Sequence, residues 1–149
     1  MTGPPAGYSA TPLWKKLGVK PSGRLLLLGA PAGWSAGELP EGAEEQAGKP
    51  ASTAAARSAA GGAGDVTIVF LHARAELAAA IEPLSDRVYP DGALWIAWPR
   101  RAGGGESDIR EQDIRDVALP LGLVDVKVAA LGEQWSGLRL VWRKERRSG

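Results

Sequence analysis

Few residues of this chain can do chemistry, and their types narrow what that chemistry is. There is one histidine, His72, and no cysteine. Disulfides, thiolate metal sites and a cysteine nucleophile are excluded, and any imidazole-based metal site or triad has to use His72. His72 follows an apolar run, at a strand end, where a polar residue satisfied by its neighbours is the plainer reading. No Gly-x-Ser-x-Gly phrase offers a nucleophile elbow. Neither a complete Gly-x-Gly-x-x-Gly nor the Gly-Lys-Ser/Thr phosphate loop occurs. What does occur is Gly29-Ala30-Pro31-Ala32-Gly33, directly after Arg24-Leu25-Leu26-Leu27-Leu28. A glycine-rich turn at a strand exit lets backbone approach a ligand, but Pro31 removes an N–H that an anion would meet. The alternative is a plain strand-exit turn.

Tryptophan is the unusual component, with six copies. Trp14, Trp95 and Trp142 sit on apolar faces and are expected in the core. Trp34, Trp98 and Trp135 lie at or near strand ends. Ligands of open α/β sheets bind outside the carboxyl ends of the strands. There Gly29, Pro31, Gly33, Trp34, His72, Trp98, Arg100 and Arg101 are expected to meet, with Trp135 at that rim or the opposite one. Indoles beside guanidinium groups suit a planar or anionic ligand, through stacking and cation–π contact. The same tryptophans can equally cap the sheet. Arg100-Arg101 and the tail Arg143-Lys144-Glu145-Arg146-Arg147 are basic and near tryptophans, as in single-strand nucleic-acid grooves. A net charge of +1 gives that reading no global field to work with. Glu111, Asp113 and Asp116 with Arg110 and Arg115 read as a solvated helix face.

The elements that must hold these residues follow from periodicity. Residues 1–10 read as a mobile lead-in. Thr11 and Pro12 suit the cap and first position of a short helix that buries Leu13, Trp14 and Leu17 and ends at Gly18. The apolar run 24–29 reads as a strand buried on both faces. Residues 35–64 have no clear period. Eight alanines and four glycines fall between Glu44 and Gly64, so the segment reads as a loose, irregular connection with a degraded strand or helical turn near its start, and Ser52 to Ala60 is helical on propensity alone. Val66 to Leu71 is a second buried strand. Leu77, Ile81, Leu84 and Val88 mark one face of a helix over 74–87, with Pro83 expected to kink or break it. Ala93 to Trp98 is a third strand, stopped by Pro99. Gly103-Gly104-Gly105 is a flexible connection. Ser107 or Asp108 is expected to cap a helix over 109–119 that buries Ile114, Val117, Ala118 and Leu121. Leu123 to Ala130 alternates, placing Val124, Val126, Val128 and Ala130 on one side. Leu138 to Trp142 follows, making an antiparallel hairpin. If strand 137–143 is exposed it is a sheet edge, guarded by Arg139 and Arg143 or covered by a partner.

Alternating helices and strands predict an α/β fold: a Rossmann-like, mostly parallel sheet with helices on both faces and a C-terminal antiparallel hairpin. The order resembles the C-terminal half of the class I methyltransferase fold, whose last strand inserts antiparallel. Tyr89-Pro90-Asp91-Gly92-Ala93-Leu94-Trp95 resembles the phrase before that fold's fifth strand, and Gly122-Leu123 the pair before the next. That resemblance implies S-adenosylmethionine and an acidic residue at the end of the second strand. Glu44 or Glu45 is the nearest match, in a segment without clear pattern. More narrowly, Tyr8 to Gly18, Leu28 to Pro31, Gly92 to Pro99, Leu121 to Val128 and Trp135 to Leu138 resemble a bacterial domain-of-unknown-function family of small cytoplasmic proteins. That family implies no activity.

These readings converge on a single domain over 11–144 with a basic tail at 145–149. It is expected to work by binding a small molecule or a protein partner, without catalysis and without a cofactor or metal. A divergent S-adenosylmethionine-dependent methyltransferase is the first alternative, and a nucleic-acid accessory protein the second. A second copy is among the partners to be considered. No run approaches the roughly 18 apolar residues of a membrane span, and the first residues lack the basic and apolar regions of a signal peptide. Together with the absent cysteine, this predicts a cytoplasmic protein without a membrane partner. The alanine, glycine and arginine bias suggests a high-GC bacterial genome.

Overall fold

A computed structural model describes residues 13–32, 34–48, 62–100, 107–132 and 134–147. The lead-in, the Thr11-Pro12 cap, Gly33, the 52–60 helix, Arg101 and the triple glycine all fall outside these residues.

The elements are α1 (Leu13–Leu17), β1 (Arg24–Leu28), β2 (Glu44–Gly48), β3 (Val66–Phe70), a 3-10 turn (Arg74–Glu76), α2 (Leu77–Arg87), β4 (Ala93–Pro99), α3 (Glu111–Leu121), β5 (Leu123–Ala130), β6 (Trp135–Trp142) and α4 (Lys144–Arg147). They form one six-stranded sheet in the order β2-β1-β3-β4-β6-β5. The first four strands in that order run parallel, and β6 is antiparallel to both β4 and β5. The sheet is mostly parallel with a C-terminal antiparallel pair.

Each face has its own core. Leu26, Leu28, Val69, Leu94, Ile96, Leu138 and Leu140 pack under α2 and α3. Leu25, Leu27, Val66, Ile68, Phe70, Trp95 and Ala97 pack on the other face under α1 and the chain after β1. Strands β1, β3 and β4 feed both cores, which is why they read as continuous apolar runs rather than alternating ones.

Several expectations need correction. The patternless 35–64 segment contains β2, paired in register with β1 from Arg24–Glu44 to Leu28–Gly48. All five β2 residues are exposed. It forms by main-chain pairing to a buried neighbour, and no apolar period exists to announce it. Pro83 does not break α2, and Pro120 lies inside the last turn of α3, which ends at Gly122 with φ of 106°. Ser107 and Asp108 do not cap α3, whose cap is Arg110. Instead Ser107 Oγ donates to the His72 carbonyl at 2.7 Å, and Asp108 Oδ1 accepts from Arg74 N–H at 2.7 Å. They tie the two loops at the carboxyl ends of β3 and β4 together.

Strand β6 is not an edge. It inserts between β4 and β5, leaving β5 outermost. A bulge between Asp125 and Lys127 also breaks the expected alternation of β5. Val124 lies opposite Val141, Lys127 opposite Arg139 and Ala129 opposite Gly137, and directly opposed residues share a face. Val126 and Val128 are left exposed.

Candidate functional site

The carboxyl ends of β1, β3 and β4 and the start of β6 form one rim, because an antiparallel strand begins where its parallel neighbours end. Pro99 pairs with Trp135 there. Trp135 therefore joins the rim that holds the exit of β1.

Gly29, at φ of 76°, turns the chain out of β1 while its N–H donates to the Gly48 carbonyl at 2.9 Å. Trp34 N–H donates to the Pro31 carbonyl at 3.1 Å, closing a tight turn that leaves Pro31 exposed. The turn aims the Trp34 indole across the rim, and its Nε1–H donates to the Leu131 carbonyl at 2.8 Å. Trp34 meets Phe70 edge-on at 5.0 Å between centroids, Phe70 meets Trp135 at 5.0 Å, and Trp135 meets His72 at 5.4 Å. All three contacts have the edge-to-face geometry that aromatic quadrupoles favour. Four rings thus line up along the rim on the face that carries α1. Phe70 had no site role in the sequence; its signal was its place as the last residue of β3, in phase with buried Ile68.

The expected cluster divides between the two faces. Trp34 and His72 join this ring row, whereas Trp98 packs against the opposite core. The period of two decides this: Trp98 and Ile96 share one face of β4, while Trp95 and Ala97 share the other. Trp98, Arg100, Ser107, Ile109, Arg110 and Ser136 line a cleft of about 320 Å³. Arg100 N–H donates to the Gln134 carbonyl at 2.8 Å, which fixes the chain as it leaves β4. Arg110, expected only as part of a solvated helix face, supplies a second guanidinium to this cleft. A second cleft of about 360 Å³, lined by Pro31, Trp34, Ser35, Leu131, Gln134 and Trp135, lies beside the ring row.

His72 has an exposed side chain, and its main-chain N–H donates to Glu76 Oε1 at 3.0 Å. Among the described residues no group of three or more His, Asp or Glu side chains converges as a metal site. Glu44 and Glu45 lie opposite Arg24 and Leu25, at the amino end of β2. That is roughly 13 Å along the strand from its carboxyl end at Gly48.

The expected core tryptophans divide less sharply. Trp95 is fully buried and donates Nε1–H to the Leu17 carbonyl at 3.0 Å. Trp14 and Trp142 are half-buried, and Trp142 donates to the Ser85 carbonyl at 2.9 Å.

No family model matches the chain, and no curated protein matches it. Among solved structures it is similar to one titled a SAM dependent methyltransferase from Aquifex aeolicus. The identity is 15%, the TM-score is 0.51, and 85% of each chain is covered. The chain has a methyltransferase-like α/β fold. At that identity the likeness is one of fold alone. The comparisons give no support to the narrower family resemblance.

The other charged cluster lies at the opposite end of the sheet. Asp65 accepts from Arg24 N–H at 3.1 Å, Arg24 Nη2 at 3.0 Å and Gly62 N–H at 3.1 Å. Buried Arg87 donates Nε–H to Thr67 Oγ1 at 2.9 Å. Desolvation, then repulsion from Arg24, lowers its pKa from the ordinary arginine value, while Asp65 opposes the shift. These groups knit β1, β3 and α2 together and face no cleft described above. No helix among the described residues is long and apolar enough to cross a membrane.

Proposed function

We propose that this chain is a non-catalytic binding domain on a methyltransferase-like scaffold, and that it takes a small planar anion at the carboxyl rim of its sheet. The observation that carries this is the division of the rim. On the α1 face the cleft beside the Trp34–Phe70–Trp135–His72 row is lined by no charged side chain among the described residues, and the Trp34 donor is spent on Leu131. On the other face Trp98, Arg100 and Arg110 surround an open cleft. An indole offers a stacking surface, and two guanidinium groups offer forked donors to a carboxylate or phosphate.

The rim residues do not fit S-adenosylmethionine. Gly48 rather than an acid ends β2, Pro31 removes a main-chain donor, and Trp34 reaches across the exit of β1. The fold likeness favours the alternative of a divergent S-adenosylmethionine-dependent methyltransferase. Both readings keep the protein in the cytoplasm, and a protein partner docking on the same rim is the remaining form of the binding reading.

Calorimetry separates them. Millimolar S-adenosylmethionine should give no heat. Indole-3-acetate, a planar carboxylate, should bind with saturable heat, and Arg110→Ala should weaken it at least about tenfold, a charge-assisted hydrogen bond's worth. Saturable heat with S-adenosylmethionine would remove the proposal.

A further inference from the structure

A third cleft lies away from the rim, on the α1 face near the amino end of β4. It measures about 250 Å³ and is lined by Pro90, Asp91, Val126, Arg139 and Val141. Arg139 sits at the middle of β6, between buried Trp95 on one side and Lys127 on the other. Trp95 has already given its N–H to Leu17. Lys127 is a like charge directly opposite, an arrangement that destabilises a strand pair unless an anion lies nearby.

The guanidinium is seated closely. Gly18 lies beneath it, and a Cβ there would stand 3.0 Å from Nη2 and 3.3 Å from Cζ. The side chain is half-buried, and its Nε is buried with no hydrogen-bond partner. None of the ion pairs among the described residues involves Arg139. Desolvation lowers its pKa from the ordinary arginine value with no carboxylate to oppose the shift. Arg139 lines the adjoining cleft without an ion pair among the described residues, and an anion seated there would supply its counter-charge.

We propose that Arg139, with Lys127 beside it, is the anion-reading element of a second site that binds a small aliphatic carboxylic acid as its carboxylate. A guanidinium offers a planar fork that matches a carboxylate. Pro90, Val126 and Val141 give apolar walls for a short hydrocarbon body. Asp91 on the lining sets the charge class, since it repels a phosphate dianion more than a monoanion. The site is independent of the rim, and nothing in it depends on the ligand proposed there.

The test follows the Arg139 Nε–Hε resonance in the 15N-labelled full chain during titration with pentanoate, pentanol and inorganic phosphate. Pentanoate should shift that resonance saturably, pentanol should not, and phosphate should act more weakly. Arg139→Lys keeps the charge and loses the fork. It should weaken pentanoate several-fold, read from main-chain amides around Val126 and Val141. Val126→Asp at an exposed position leaves the core untouched and should weaken it as well. An Arg139 resonance unmoved by pentanoate, an equal response to pentanol, tighter binding of phosphate, or unchanged binding in Val126→Asp would each overturn the proposal. Loss of indole-3-acetate binding with pentanoate binding intact would count against the rim site alone.

Discussion

Replacing Trp34 tests whether the ring row holds the rim closed. Its indole is half-buried, touches Phe70 edge-on and hydrogen-bonds the Leu131 carbonyl at 2.8 Å. Truncating a fully buried Trp to Ala costs about 3–5 kcal/mol, so a half-buried one with a hydrogen bond and a ring contact should cost about 3. Trp34→Phe keeps a ring against Phe70 and removes only the donor. Leu131 is fully buried, so its carbonyl is left unpaired, at about 1–2 kcal/mol. In a domain of this size each kcal/mol moves the melting temperature by about 2–4 °C. Trp34→Ala should therefore melt about 6–12 °C below wild type and Trp34→Phe about 2–8 °C below, both followed by circular dichroism. Trp34→Phe melting with wild type would show that the Leu131 bond contributes nothing. Trp34→Ala melting no lower than Trp34→Phe would refute the ring row as a structural brace.

Three further outcomes follow from the packing. Trp95→Phe should cost about 2–3 kcal/mol, because it leaves the Leu17 carbonyl without its donor and a void in a fully buried site; the urea midpoint should fall with an unchanged slope. Asp65→Ala should cost about 2–3 kcal/mol in the same assay, since it strips partners from Arg24 and Gly62 and removes the carboxylate nearest buried Arg87. The exposed Arg24 ion pair itself adds little. Pro83→Ala should raise stability by about 1–3 kcal/mol, because Pro83 is exposed inside α2 and denies that helix one main-chain bond; a lower urea midpoint would mean that Pro83 packs in some way its exposure does not show.

Much of the fold was legible because burial on both faces leaves a mark in the sequence. Arg24 to Leu28, Val66 to Phe70 and Ala93 to Pro99 are strands, and each is an apolar run apart from Arg24 and Thr67. Ile114 and Ala118 are buried and Val117 and Leu121 half-buried, as their helical spacing required. Strand β2 was legible only as an unplaced degraded strand or helical turn, since an exposed edge strand held by its neighbour's main chain needs no particular side chains. The β5 bulge was not legible either, since Leu123 to Ala130 alternates smoothly as written and only the ladder to β6 forces an extra residue. The candidate site was legible as a set of residue types but not as a geometry. Trp34, His72, Trp98 and Arg100 do reach one rim, but on two faces, and Phe70, Arg110 and Trp135 join them there.

By itself, the sequence determined the α/β class, the strands buried on both faces and the shortage of catalytic groups, because these follow from residue type and local period. Tertiary structure alone decided which end of β2 carries its carboxylates, which face each tryptophan takes, and that β6 lies inside the sheet. The physical reason is that pairing and insertion are set between segments far apart in the chain. Arg139 shows the difference plainly. As a residue type it looked like the guard of an open edge. With β5 outside it and Trp95 and Gly18 around it, it is a half-buried cation beside a cleft.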